Sequence, residues 1–237
     1  MTPLRQRFIE DMQLRGLAST TQKSYIHYVA DYAKYYHTNP EKLDLEAIRQ
    51  YELYLLHQKK MSPESINSFV SAVQFLYLVT LEMPWGKECF PRVRRPQKLP
   101  VVLSPEEIQV FFQNIPGLKR RAGLMCCYGA GLRISEAVAI RQPFEDDPGD
   151  IDSQRMLLRV RQGKGQKDRY VMLSPRLLAV LRTYWRAARP QGPWLFPSWR
   201  PERHMTSGAL STACREACQR SGLRKRVTAH TLRQASA

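Results

Sequence analysis

The chain has 237 residues, with 37 Lys and Arg against 21 Asp and Glu, and its formal net charge of +16 points to a polyanionic partner, nucleic acid first. Charge alone leaves a ribosomal or membrane-surface protein open, but no stretch has the length of an apolar membrane span, and the N-terminus lacks the apolar core of a signal peptide. A hydrophobic content of 43% supports a packed core, in one large domain or two small ones, and the expected location is the cytoplasm.

Residues 1–90 read as helical throughout. A first helix over Pro3–Arg15 stops at Gly16. Ser19 with Gln22 three residues on fits a capping box that opens a second helix. Along it Tyr25, Tyr28, Val29, Tyr32 and Tyr36 form an i, i+3/i+4 stripe, which reads as core rather than as a base-stacking surface. Asp44 caps a third helix through Ile48, Tyr51, Leu55 and Leu56, and Ser62-Pro63-Glu64 starts a fourth that runs on through Leu78. These four helices make a small bundle. Ser19, Thr20, Thr21, Lys23, Ser62 and Ser65 sit at helix starts, where hydroxyls and amides either meet phosphates or merely cap their helices.

Pro84, Pro91, Pro96 and Pro100 then alternate with Arg92, Arg94, Arg95 and Lys98. This proline-stiffened basic stretch marks a domain boundary, and it is either a solvated linker or a segment that wraps a duplex.

Beyond it, Ser104-Pro105-Glu106-Glu107 starts a helix to about residue 114. Tyr128-Gly-Ala-Gly-Leu-Arg-Ile-Ser-Glu136 follows an apolar run containing Cys126 and Cys127. Gly129 and Gly131 are candidates for a positive-φ helix stop, and a second helix restarts at Arg133. Glu136 lies on the same helical face as Arg133 and can orient its guanidinium, whose fork matches two phosphate oxygens; an ordinary surface ion pair is the other reading. Residues 142–153, with Glu145, Asp146, Asp147, Asp150 and Asp152, read as an exposed acidic loop. Met156–Val160 and Tyr170–Leu173 flank a glycine-rich basic turn and predict a β-hairpin. At its tip Lys164 can enter a groove, or the tip is a flexible surface turn. Ser174-Pro175 starts a helix to about Ala188 whose apolar face includes Trp185, Trp194–Pro197 is a short buried segment, and Thr206–Ser221 is helical up to Gly222. Arg224, Lys225 and Arg226 form a basic cluster, and His230 and Arg233 share a face of a helix starting near Thr231. The five cysteines form no C-x-x-C pair; Cys214 and Cys218, one turn apart, read as free thiols rather than metal ligands.

Three of these segments, in this order, resemble the tyrosine recombinases, the phage-integrase and Xer-type family: Gly131-Leu-Arg-Ile-Ser-Glu136, Gly163-Lys-Gly-Gln-Lys-Asp-Arg169 and His230-Thr-Leu-Arg233. The resemblance covers nearly the whole chain. It implies a mainly α protein: a four-helix SAM-like core-binding domain over 1–90, a basic linker over 91–100, and an α+β catalytic domain with a small β-hairpin or sheet over 101–237. The two domains would close on double-stranded DNA like a clamp, as a dimer or tetramer. By position Arg133 matches the first catalytic arginine, Lys164 the hairpin lysine, and His230 and Arg233 the His-x-x-Arg pair, with Glu136 holding Arg133. The helix-start residues above, the linker cations Arg92, Arg94, Arg95 and Lys98, and Lys167 and Arg169 are the expected DNA contacts.

In this family a tyrosine attacks the phosphate and forms a 3′-phosphotyrosyl link. Two guanidiniums neutralise the charge that builds on the phosphate, lysine protonates the departing 5′ oxygen, and no metal or other cofactor is needed. The sequence departs from the pattern at Gln234, where the family usually has histidine, and in having no tyrosine after Tyr184. The catalytic domain is therefore expected to be incomplete at its C-terminus and unable to cleave DNA alone, with weakened assembly. A non-catalytic protein that occupies recombination sites is the alternative. A basic helical RNA-binding or structural protein is a third, and it predicts that Arg133, Lys164 and Arg233 do not converge.

Overall fold

The computed structural model describes residues 2–96, 99, 101–161 and 168–235. They form two compact units, residues 1–98 and 99–237, each with its own core.

The first unit is built on α1 (Pro3–Leu14), α2 (Ser19–Tyr36), α3 (Leu45–His57) and α4 (Pro63–Phe75). Three of the four starts are capped by side chains: Thr2 accepts from the Arg5 amide, Asp44 from Ala47 and Ser62 from Ser65. The fourth differs from the predicted capping box. Ala18 precedes α2 and offers no side-chain cap, while the Gln22 amide reaches back to the Leu17 carbonyl at 2.7 Å. The tyrosine stripe of α2 does face the core. Tyr32 is fully buried, with the rings of Tyr36, Tyr51 and Phe69 centred 5.2–5.6 Å away. After Phe75 the expected continuation is π-helical, Leu76–Thr80, and carries Tyr77 inward so that its hydroxyl donates to the Pro40 carbonyl at 2.7 Å.

Asn67 holds the proline-rich stretch at Val93. Asn67, 4% exposed on α4, donates to the Val93 carbonyl and accepts from the Val93 amide, both at 2.9 Å. Asn67→Ala is expected to cost about 2 kcal/mol, two net hydrogen bonds, and to speed trypsin cleavage at Arg92 and Arg94. Unchanged urea denaturation and unchanged cleavage would show that this clamp carries no weight.

The second unit contains α5 (Pro105–Gln113), α6 (Leu118–Gly129), α7 (Ile134–Val138), β1 (Ile151–Asp152), β2 (Leu157–Val160), β3 (Arg169–Met172), α8 (Pro175–Ala188), α9 (Ser207–Arg220) and α10 (Ala229–Gln234). Ser104 and Glu107 close a capping box on α5. The three strands form an antiparallel sheet in the order β1-β2-β3, with Leu158 opposite both Ile151 and Val171. Leu158 and Val160 are buried, and the core continues through Leu124, Leu132, Leu181, Phe196, Leu210 and Leu232. The fold is thus mainly helical with one small sheet, as expected.

Two expectations are corrected here. Trp185 is 49% exposed instead of facing the core, and its indole N–H donates to Gln142 at 2.9 Å. The acidic segment is no free loop: Asp150 is buried, Asp147 and Asp150 pair with Arg161, and the segment leads into β1, a strand absent from the predicted hairpin.

Candidate active site

The turn between α6 and α7 positions Arg133. Gly129 is still helical, so the stop falls on Gly131, whose φ of +60° suits glycine. Leu132 is fully buried, and its amide donates back to the Cys126 carbonyl. With Leu132 anchored on one side and Ala137 and Val138 buried on the other, Arg133 stands at the N-cap of α7 in an extended conformation (φ −67°, ψ 151°).

Glu136 fixes it. One carboxylate oxygen accepts from Arg133 Nη1 at 2.9 Å, and the other from the Arg133 amide at 2.8 Å. The same carboxylate receives both terminal nitrogens of Arg169, at 2.9 and 2.8 Å. Its side chain is 6% exposed, those of Arg133 and Arg169 38% and 35%. Burial alone would raise the Glu136 pKa, but the hydrogen bonds from Arg169 and from the amide and side chain of Arg133 outweigh it and hold it at about 2. One carboxylate thus serves two guanidiniums, leaving a net positive charge and an exposed edge on Arg133. Arg169, expected on DNA, has both terminal nitrogens on Glu136. The link joins β3 to α7.

The two further candidates lie on α10, which packs on α6. The Thr228 hydroxyl accepts from the Thr231 amide and starts the helix at Ala229, two residues earlier than expected. His230 is exposed in its first turn, and Arg233 is half-buried one turn on. Cys127 is buried on α6, and its thiol donates to the Gly123 carbonyl. Its thiol is pushed up to about 12, by burial first and then by Cys214 and Glu136, with Arg233 opposing. Lys164 and Lys167 lie outside the described residues.

In the first unit, Ser19, Thr20 and Lys23 are exposed on the opening turn of α2, and Thr21 is half-buried. The Ser62 hydroxyl is occupied as a cap and lies 3.2 Å from that of Ser65. Arg92 donates to the Ser71 hydroxyl at 3.1 Å, Arg94 and Arg95 are exposed, and Lys98 lies outside the described residues. Among the described residues no cluster of three or more His, Cys, Asp or Glu is placed to hold a metal ion.

Comparison with known proteins decides the family. Residues 4–87 match the phage integrase N-terminal SAM-like domain, and residues 102–237 match the phage integrase family. The chain belongs to the phage integrase family, the tyrosine recombinases. Among family members, a Sinorhizobium fredii protein described as an integrase/recombinase, y4qK, is 50% identical over all of this chain and 75% of its own length. A second from the same organism, y4eF, is 50% identical over 81% of this chain and 74% of its own length. The fold matches that of lambda integrase. Solved as a dimer bound to a core site, that protein superposes with a TM-score of 0.76 over 98% of this chain and 86% of its own, at 16% identity. Solved as a tetramer bound to a Holliday junction, it gives 0.75 over 98% and 70%, also at 16%.

Two ion-pair clusters of the second unit do not show in the sequence. The partner of Arg169 is set by strand register 33 residues away from Glu136. The pairing of Arg161 with Asp147 and Asp150 was hidden in a run of acidic residues that resembles any solvated loop.

Proposed function

We propose that this chain binds duplex DNA and that its second unit prepares one phosphodiester for site-specific strand exchange through a 3′-phosphotyrosyl link. The observation that carries this reading is the Glu136 fork, which fixes Arg133 at the N-cap of α7 with its outer edge open. In this reading Arg133 and Arg233 bind the non-bridging oxygens and stabilise the charge that develops as the phosphorus becomes pentacoordinate. His230 orients the phosphate and assists proton movement, and Lys164 protonates the departing 5′ oxygen. Exposed Ser19, Thr20, Lys23, Arg94 and Arg95 contribute backbone contacts. Assembly as a dimer or tetramer on DNA, as in the lambda integrase complexes, belongs to the same reading.

A second, binding-only reading is favoured by the tyrosines of this unit. Tyr128 packs its ring on Phe112, 5.7 Å between centres. Tyr184 is buried, donates its hydroxyl to the Leu195 carbonyl at 3.0 Å, and is pushed up to about 12 by burial. Tyr170 is exposed, but strand alternation turns it to the face of β3 opposite Arg169 and hence away from Glu136. None is placed to attack a phosphate held by Arg133. In this reading these three tyrosines leave a bound duplex uncut.

Fluorescence anisotropy on a labelled duplex across a salt series tests the first reading. Affinity should fall steeply with salt, and Arg133→Ala or Arg233→Ala should each reduce the log–log slope by about one. Salt-independent or undetectable binding would defeat it. On a nicked suicide duplex, a covalent adduct in denaturing gels would defeat the binding-only reading and uphold strand exchange.

A further inference from the structure

The turn that delivers His230 and Arg233 hangs from two thiols. Cys214 and Cys218 lie one helical turn apart on α9, and their sulfurs donate to the carbonyls of Val227 (3.6 Å) and Lys225 (3.2 Å). Lys225 is fastened in turn to the start of α5, through the Val102 carbonyl at 3.0 Å and Glu107 at 2.8 Å. Three residues after Lys225, Thr228 caps α10. Both thiols line an open cavity of about 380 Å³, with Arg215 and Arg226 on its wall and Thr228 and Ala229 at one side. That volume falls within the roughly 300–1,000 Å³ of small-ligand sites.

The two sulfurs lack the further donors of a metal centre, since among the described residues no third His, Cys, Asp or Glu joins them. The thiols also differ in reach. Cys126, Cys127 and Cys214 are buried, and burial pushes Cys214 up to about 12. Only Cys218 and, in the first unit, Cys89 are partly exposed. Cys89 follows Glu88, whereas Cys218 shares the lining of its cavity with Arg215 and Arg226, and cysteines react where they are partly exposed beside cationic residues.

We propose that Cys218 is a modification site for small anionic disulfides, and that its modification loosens the start of α10. In the exchange Cys218 gives its proton to solvent and the thiolate attacks one sulfur of the reagent. A protein–reagent S–S bond forms, the reagent's own S–S bond breaks, and its other half leaves as a thiolate that takes up a proton. The Cys218 sulfur is oxidised and the departing sulfur reduced. The mixed disulfide has no S–H to donate to Lys225, and its carboxylates lie against Arg215 and Arg226. The support under the Lys225–Thr228 turn is then lost.

The native full chain, treated with glutathione disulfide at neutral pH, should take up one glutathionyl group by intact mass. Peptide mapping should place it on Cys218, with reaction faster than at Cys89 by about tenfold or more, the scale on which local charge raises association rates. The double substitution R215Q/R226Q should remove that advantage, and Cys218→Ser should leave the position unmodified. Hydrogen exchange of the α10 amides should rise on modification and return with dithiothreitol. Cys89 reacting as fast as Cys218, or an unchanged rate in R215Q/R226Q, would overturn the site. Unchanged exchange in α10 would overturn the coupling. An accompanying loss of duplex affinity rests on the function proposed above, whereas the mass and exchange readouts stand apart from it.

Discussion

Glu136→Ala is expected to destabilise the second unit by about 2–3 kcal/mol and to weaken duplex binding as strongly as Arg133→Ala does. Alanine leaves the Arg133 amide and two guanidiniums without the carboxylate that receives four hydrogen bonds from them. Removing one partner of a fully buried ion pair costs about 3–5 kcal/mol. Here the arginines are 38% and 35% exposed, so water recovers part of the loss. Glu136→Gln keeps one acceptor oxygen and should fall between wild type and alanine. The pH dependence follows from the depressed pKa. Unfolded, Glu136 titrates near its ordinary 4.5; folded, it is held at about 2. Its contribution is complete above 4.5 and is lost as the pH falls through the folded value. The gap between wild type and Glu136→Ala in urea denaturation should therefore narrow from pH 5 toward pH 2. A gap below about 0.5 kcal/mol at pH 7, the range of ordinary surface changes, would mean that the fork does not hold the site together.

What sequence alone shows about this site depends on how local each contact is. The Arg133–Glu136 pair is three residues apart and follows from helical spacing, and the stop at Gly131 follows from an apolar run meeting a glycine. The tyrosine stripe of α2 was legible for the same reason: a 3.6-residue period has one buried face, and Tyr32 lies on it. Three consecutive hydroxyl residues, Ser19, Thr20 and Thr21, make the start of α2 ambiguous, and the helix begins at Ser19 itself, after Ala18, which has no polar side chain to cap it. Trp185 matched the apolar period of α8, but an indole can satisfy its N–H at a rim, and here Gln142 accepts it. Arg169 was out of reach because its direction depends on β3 pairing with β2, where Val160 faces it and Tyr170 turns the other way. A basic residue in a basic hairpin reads as a DNA contact, and the register adds its pairing with Glu136.

The acidic segment yields the other large effect. Asp150→Ala should cost about 3 kcal/mol and lower the melting temperature of the second unit by roughly 10 °C. The Asp150 side chain is 2% exposed and accepts from the Arg141 amide at 2.8 Å and from Arg161 Nε at 2.6 Å. Arg161 also reaches Asp147 at 2.7 Å, and Asp147 is held at about 2, chiefly by that bond. Gly149 completes the turn at φ +80°, where an added Cβ would lie 2.8 Å from the backbone of Gln142 and Pro143. Removing the Asp150 carboxylate leaves Arg161, only 26% exposed, with Asp147 as its ion-pair partner, and takes the side-chain acceptor away from the Arg141 amide. The damage should travel, because β1 pairs with β2, β2 with β3, and β3 carries Arg169 to Glu136. Glu145→Ala, at an exposed position of the same segment, is the control and should stay within about 0.5 kcal/mol of wild type. If Asp150→Ala melts with Glu145→Ala, the segment is the solvated loop its composition suggests. If it melts far below and also loses the salt-dependent binding proposed for Arg133, then the acidic residues of this cationic chain act on Arg133 through the sheet.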